Sequence, residues 1–240
     1  MIRDLKGTVI DRIPVENVLI SVFDKSGLEF LIPQLLEINP EVIFTSTGGT
    51  YTKIKELLGE NADGNLVEVA EYTGFPEMEG GLVKTLHPAI HAGILAERNN
   101  FSHREYLSSL KAVCMDLVVV NLYPFEKVIE DIRAGKTDPK TGKPLNFESA
   151  RGNIDIGGPA MIRAAAKNFM GCAPICDPKD YEMIVREIKE AEGCITFDMR
   201  VRLAKKVFAV TANYDAKIAE YFLQTQADEI KATYKFSTED

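Results

Sequence analysis

The chain has 240 residues, 45% of them hydrophobic and 27% charged, a balance that fits a folded soluble protein and excludes a disordered or collagen-like one. Its 28 Lys and Arg against 36 Asp and Glu give a formal net charge of −8, so general electrostatic binding to nucleic acid is not expected, while a local cationic pocket for one small phosphate stays open. Four cysteines (Cys114, Cys172, Cys176 and Cys194), no basic-then-apolar leader and no apolar run of about 18 residues predict a cytoplasmic protein without a membrane span. Cys172 and Cys176 have no second Cys/His pair at zinc-site spacing, and no metal is expected.

In chain order, residues 17–23 (NVLISVF) predict a buried strand, 26–37 a helix, 41–46 a second strand, 50–58 a second helix and 66–70 a short third strand. Residues 116–122 (DLVVVNL) are the strongest strand in the chain and are expected near the middle of the sheet. Residues 133–152, rich in Gly, Lys, Asp, Pro and Thr, predict a long loop. A helix over 159–168, a strand over 171–176, a helix over 178–192 and a long helix over 197–224 follow, and the charged last dozen residues are expected to fray. Strands alternating with helices predict an α/β fold, a parallel sheet covered by helices, in a single domain over residues 1–240.

In such a sheet ligands bind beyond the carboxyl ends of the strands. Asp24-Lys25-Ser26-Gly27, after the first strand, puts a cation and a hydroxyl at the amino end of a helix, where unsatisfied N–H groups favour an anion. After the second strand, Ser46-Thr47-Gly48-Gly49-Thr50 offers glycine N–H groups and three hydroxyls, the chemistry of a phosphate cradle. Each segment alone also reads as a helix cap, with Ser26 as the N-cap; two of them after adjacent strands favour a shared phosphate pocket. Neither G-x-x-x-x-G-K-[ST] nor G-x-G-x-x-G occurs.

Residues 80–93 (GGLVKTLHPAIHAG) have no clean helical or strand period, yet hold two glycines at the start, a lysine and two histidines. His87 and His91 are four apart, but the intervening Pro88 argues against a zinc-binding helix face, and a packed, hydrogen-bonded histidine is the alternative. Asn121 and Tyr123 follow the strongest strand; Tyr123 reads either as a donor to a ligand or as a half-buried aromatic. Asp155 precedes Gly157-Gly158-Pro159, which opens a helix whose Arg163 and Lys167 share a face.

The segments SVFDKSG, STGGT, GGLVKTLHPAIHAGIL, DLVVVNLYPFE, NIDIGGPAMIRAAAKN and FAVTANYDAKIAEYF, spread over residues 21–222, carry a specific resemblance. The chain resembles the IMP cyclohydrolase domain of the bifunctional purine-biosynthesis enzyme that also carries aminoimidazole-carboxamide ribotide transformylase. That resemblance implies a Rossmann-like, mostly parallel sheet with helices on both faces, similar to methylglyoxal synthase. It implies ring closure of formamidoimidazole-carboxamide ribotide to inosine monophosphate, with no cofactor.

By the same resemblance Lys84, Tyr123, Asp155 and Lys167 match the catalytic positions. Asp155 and Lys167 would act as a coupled acid/base pair at the carboxamide, and Lys84 and Tyr123 would polarise or protonate the formyl oxygen. Ser21, Lys25, Ser46, Gly48, Gly49, Thr50, Thr85, Asn121, Gly157 and Gly158 match the substrate-binding side, with Lys25 as the phosphate cation. A purine ribonucleotide substrate and a homodimer are implied. The chain ends soon after the cyclohydrolase segment, so a separate transformylase chain is a further expected partner. The sequence departs from the family pattern at Leu82, where an arginine is usual, at Gly152, where a glutamate is usual, and at Phe23, where a small polar residue is usual. The alternative is a non-catalytic phosphate- or nucleotide-binding regulatory module on the same fold; methylglyoxal synthase itself fits the NLYPF and RAAAKN segments poorly.

Overall fold

Runs of β-branched and aliphatic residues flanked by glycine and polar turns pair in parallel, because a helical crossover carries the chain back to the end at which the strand began. The computed structural model describes residues 8–76, 78 and 82–236. Two short strands, β1 (Ile13–Pro14) and β7 (Cys194–Ile195), pair antiparallel, with Ile13 opposite Ile195. The main sheet holds β2 (Asn17–Val22), β3 (Ile43–Ser46), β4 (Leu66–Glu68), β5 (Leu117–Asn121) and β6 (Ala173–Ile175) in the order β4-β3-β2-β5-β6. Every pairing in it is parallel; Val18 lies between Phe44 and Leu117, and Ile20 between Ser46 and Val119. β5 is interior, as expected, but the middle strand is β2.

The two-residue alternation of the strands sorts their side chains into two cores. Val18, Ile20, Val22, Phe44, Leu117, Val119 and Ile175 pack with α1 (Leu28–Ile38), α2 (Gly48–Leu58) and α10 (Tyr181–Glu190). On the opposite face Leu19, Val118 and Val120 pack with α5 (Pro88–Leu95), α9 (Gly157–Lys167) and the first half of α11 (Phe197–Gln224). Burial on both faces explains why β5 reads as an unbroken apolar run.

The chain divides into two compact units, residues 1–122 with 156–209 and residues 123–155 with 210–240. The first holds the sheet, together with α3 (Ala62–Asn65), α4 (Val69–Thr73) and α6 (Phe101–Ser109). The second holds α7 (Phe125–Arg133), α8 (Phe147–Arg151), α12 (Ala227–Thr233) and the second half of α11. Its core is aromatic: Phe125 meets Tyr214 and Tyr221 edge-on at 6.2 and 5.9 Å, and Phe147 stacks on Tyr221 at 5.8 Å.

Several expectations are corrected. The stretch 133–152 is not all loop: Thr137 and Pro144 form a bridge, and Asn146 caps α8 by accepting from the Glu148 and Ser149 N–H groups. Within 80–93 a helix forms after all, with His87 as its N-cap, Nδ1 accepting from the Ala89 N–H at 3.2 Å, and Pro88 in its first turn; Gly80 and Gly81 lie outside the described residues. The last dozen residues begin inside α12 and carry it on to Thr233, and of them only 237–240 lie outside the described residues. No described helix is long and apolar enough to cross a membrane.

Candidate functional site

The site is built at the carboxyl rim of the first unit. β2 ends at Val22, and the turn after it is braced by Asn121 at the end of β5: the Asn121 Oδ1 accepts from the Phe23 and Asp24 N–H groups at 2.7 and 3.0 Å, and its Nδ2 donates to the Asp24 carbonyl at 2.7 Å. Ser26 is not the N-cap of α1. That place belongs to Gly27, at φ 78°, and Ser26 instead donates to the Asp24 carboxylate from both its N–H and its hydroxyl. These bonds, the hydroxyl one first, hold the Asp24 carboxyl below the usual carboxylate range. The folded turn presents the half-buried Lys25 towards α2.

β3 runs directly into α2, which starts at Gly48, two residues before the expected Thr50. Thr47 makes no side-chain cap to this helix, and Gly48 and Gly49 are exposed. A Cβ placed on Gly48 would come within 3.3 Å of the Lys84 Nζ, and one on Gly49 within 3.8 Å of the Lys25 Nζ. Two ammonium groups therefore converge on one helix amino terminus whose N–H groups lack a side-chain cap, the arrangement that binds a phosphate. Gly48, at φ 46°, is in the left-handed region.

The hydroxyls of the expected cradle are already engaged. Ser46 donates to the Ile20 carbonyl at 2.7 Å, Thr50 donates to the Val22 carbonyl at 3.0 Å, and Ser21 and Thr47 share a bond of 3.2 Å. Ser46 and Thr50 are buried, so they weld β2 to β3 and α2. Thr85, next to Lys84, is buried with its Oγ1 2.7 Å from where a Cβ on Gly157 would stand. The Lys84-Thr85 pair therefore lies between the first turn of α2 and the first turn of α9, which has no side-chain cap either.

Lys167 is not brought to that turn. It is the last residue of α9, ten residues from Gly157, or about 15 Å along the axis at 1.5 Å per residue, and it is exposed. Arg163 lies over the Phe208 ring at 5.7 Å.

The second unit carries Tyr123, which is 45% exposed, and Asp155. Sequence reasoning missed the residue that shapes this part. The Tyr214 hydroxyl accepts from the Asp155 N–H at 2.9 Å and donates to the Asn153 carbonyl at 3.1 Å, closing the turn that holds Asp155. Burial foremost, with the Asp155 charge adding to it, pushes the Tyr214 phenol up to about 12, so it stays a neutral donor. Tyr214 lies in the FAVTANYDAKIAEYF segment, but on an α11 read only as a long helix nothing marked it as a brace.

The fold defines an α/β protein with a five-stranded parallel sheet that carries two lysines at the amino end of α2 on its carboxyl rim. The family model of the AICARFT/IMPCHase bienzyme matches residues 165–240. The bifunctional purine biosynthesis protein PurH of Clostridium perfringens (strain 13 / Type A) is 45% identical over 214 residues, 89% of this chain and 38% of that protein. PurH of Listeria monocytogenes serotype 4b (strain F2365) is 43% identical over 224 residues, 92% of this chain and 40% of that protein. The crystal structure of ForH matches with a TM-score of 0.66 at 31% identity, covering 86% of this chain and 98% of ForH. The chain belongs to the AICARFT/IMPCHase family, and it spans about two fifths of the length of these PurH relatives.

Proposed function

We propose that the protein is an IMP cyclohydrolase that closes the six-membered purine ring of formamidoimidazole-carboxamide ribotide. The carboxamide nitrogen attacks the formyl carbon, the new C–N bond forms as that nitrogen loses a proton and the formyl oxygen gains one, and the carbinolamine then loses its C–O bond as water while the former formamide nitrogen gives up its proton and forms the ring C=N bond of inosine monophosphate. The observation that carries this reading is the convergence of Lys25 and Lys84 on the open first turn of α2, beside Thr85 at the first turn of α9. One cation there serves the ribotide phosphate, and the other is within reach of the reacting end.

An amide nitrogen is a weak nucleophile and the formyl oxygen becomes negative as it is attacked, so catalysis rests on positioning and on charge stabilisation at that oxygen. Lys25, with the Gly48 and Gly49 N–H groups, holds the phosphate. Lys84 donates to the formyl oxygen and supplies the proton with which it leaves as water. The Gly157 and Gly158 N–H groups add donors at the amino end of α9. For Tyr123 and Asp155, on the second unit, the resemblance supplies the roles of hydrogen-bond donor and of acceptor of the carboxamide proton. Lys167, at the far end of α9, is left out of the chemical centre, so Asp155 is assigned its role without that partner. The protein acts in the cytoplasm and as a homodimer.

The test is to mix the purified protein with formamidoimidazole-carboxamide ribotide, without folate, and follow the purine absorbance. Turnover is expected, and Lys84→Met is expected to lower kcat by about 10²–10³-fold, the range for loss of one transition-state donor. Lys167→Ala is expected to stay within about threefold of wild type, since surface changes away from a site rarely matter. Nucleotide binding with no turnover would overturn the reading in favour of a regulatory module. Leu82 is 61% exposed beside Lys84, and Leu82→Arg in the same assay measures what the missing guanidinium is worth.

A further inference from the structure

β2 and β5 end side by side, with Val22 paired to Asn121 in the parallel ladder. Beyond that pair the chain turns away, and its next N–H groups lose the partners that a neighbouring strand supplies. The Asn121 side chain takes over. Its carboxamide carries the acceptor and donor of a peptide unit, and it meets the main chain of Phe23 and Asp24 in three bonds of 2.7, 3.0 and 2.7 Å. Two N–H groups at one end and a carbonyl at the other also fix which way round the amide stands.

The turn held in this way is thinly packed, since Phe23, Asp24 and Ser26 are all exposed. Lys25 is the exception. It is half-buried, its Nζ donates to the Phe23 carbonyl at 3.3 Å, and its Cε lies 3.7 Å from where a Cβ on Gly49 would stand. One peptide unit therefore joins the asparagine to the lysine: the peptide between Phe23 and Asp24 gives its N–H to Asn121 and its carbonyl to Lys25. That unit is planar, so holding its N–H end also aims its carbonyl. Both acceptor positions of the Asn121 Oδ1 are occupied, and so is one of the two Nδ2 hydrogens. An amide engaged to this extent serves the turn, whereas the resemblance implies a contact with the substrate.

We propose that Asn121 is a positioning residue: by clamping the Phe23–Asp24 peptide it sets the Lys25 ammonium at the first turn of α2, and what it contributes to ligand binding passes through Lys25. The inference rests on Lys25 as the phosphate cation and not on ring closure itself.

The experiment is a double-mutant cycle of wild type, Asn121→Ala, Lys25→Met and the two changes together. Each protein is titrated with inosine monophosphate and followed by NMR, which reaches millimolar affinities. Lys25→Met is expected to weaken binding by about 10–100-fold, the scale of one charge-assisted hydrogen bond to a phosphate. Asn121→Ala is expected to weaken it by about tenfold, at the lower end of that range because the lysine is loosened and not removed. In the Lys25→Met background the same change is expected to alter binding by less than about twofold, since two residues that act through one group do not add. In the ring-closure assay the Asn121→Ala loss is expected in KM rather than in kcat, the mark of a grip that is equal in ground and transition states.

An Asn121→Ala or Lys25→Met protein that binds as tightly as wild type overturns the proposal. So does a loss of about tenfold from Asn121→Ala in both backgrounds, because Asn121 then acts without Lys25. If Asn121→Ala fails to fold, Asn121→Ser takes its place in the cycle. Wild type that binds inosine monophosphate without closing the ring leaves the cycle readable: coupled losses then keep the positioning role while the ring-closure reading falls. Independent losses in a protein that does close the ring have the reverse meaning. Wild type that does not bind inosine monophosphate overturns both.

Discussion

At the scale of single residues, two glycines that look alike in sequence do different work. Gly157 opens α9, and an alanine there would put its Cβ 2.7 Å from the Thr85 Oγ1. Thr85 is buried and β-branched, so it cannot rotate freely out of the way and the turn carrying Lys84 must shift. Stability should change little, because alanine gains up to about 1 kcal/mol of helix propensity over glycine against the clash. Gly157→Ala is therefore expected to lower ring-closure kcat by about tenfold or more, in the range of one misplaced catalytic group. The melting temperature should move by less than about 4 °C, as for a stability change under 1 kcal/mol in a chain of this size. Gly93, in α5, is the contrast: a Cβ there would meet the Val113 carbonyl oxygen at 2.5 Å, and a backbone atom cannot swing aside. Gly93→Ala is expected to destabilise the fold by about 1–3 kcal/mol, the usual cost of overpacking, measured as a lower urea midpoint. Both glycines were visible in the sequence. Only Gly157 could be given a role from it, since a proline and an alanine-rich helix follow, whereas the carbonyl facing Gly93 comes from a residue twenty positions away.

At the scale of elements, legibility followed the strength of the local pattern. β2, β3 and β5 were readable because a strand buried on both faces is a continuous apolar run, and α11 because 28 residues pass without a breaker. α6 was not readable: FSHREYLSS buries only Leu107. α7 is short, nine residues that follow directly on the Tyr123-Pro124 turn and bury only Phe125 and Ile129. α5 hides its period in PAIHAGIL, which is apolar on nearly every side. β1 and β7, at two residues each, form only because distant segments meet.

α12 has a similar origin, since it is tethered from outside itself. The Tyr234 hydroxyl donates to the Glu148 carboxylate at 2.7 Å, while Arg151 grips that carboxylate through two bonds of 2.7 and 2.6 Å. The Arg151 bond foremost, then the Tyr234 bond, depresses the Glu148 carboxyl from 4.5 to about 2. A lowered carboxylate pKa gives stability that is fully present above the unfolded value and is lost as pH falls through the folded one. The tether is thus expected to hold at pH 4.5 and above and to release towards pH 2, with a small energetic effect because the pair is exposed. The ring resonance of Tyr234 should titrate with a midpoint near 2. At neutral pH, Glu148→Gln should speed amide exchange in residues 227–233 while leaving α10 unchanged. A midpoint at the ordinary glutamate value would show that the fork does not persist in solution.

At the scale of the whole molecule, the most consequential side chain outside the site is one that sequence patterning places on a helix and says nothing more about. Arg200, on α11, is fully buried, yet it makes no ion pair among the described residues. It donates to five main-chain carbonyls: Ile10 and Asp11 before β1, Phe169 and Met170 between α9 and β6, and Ile195 on β7. Phe197 adds its ring face at 5.6 Å. One guanidinium therefore ties the small antiparallel sheet and the N-terminal segment to the turn that feeds the last strand of the main sheet. Its five fixed donors match five acceptors that a lysine could not reach together. Burial pulls its pKa down to about 10, which still leaves it charged at neutral pH. Removing it strands several buried carbonyls at once, a larger loss than one hydrogen bond. Arg200→Met, which keeps the stem and loses the head, is expected to cost about 3–5 kcal/mol, as when one side of a buried polar network is deleted. Arg200→Lys should recover less than half of that, read from urea midpoints at unchanged slope. A methionine variant as stable as wild type would mean that water replaces the guanidinium, and that the β1–β7 pairing and the bonds from Phe197 to Asp11 and from Asn99 to Thr8 suffice to hold the N-terminal segment.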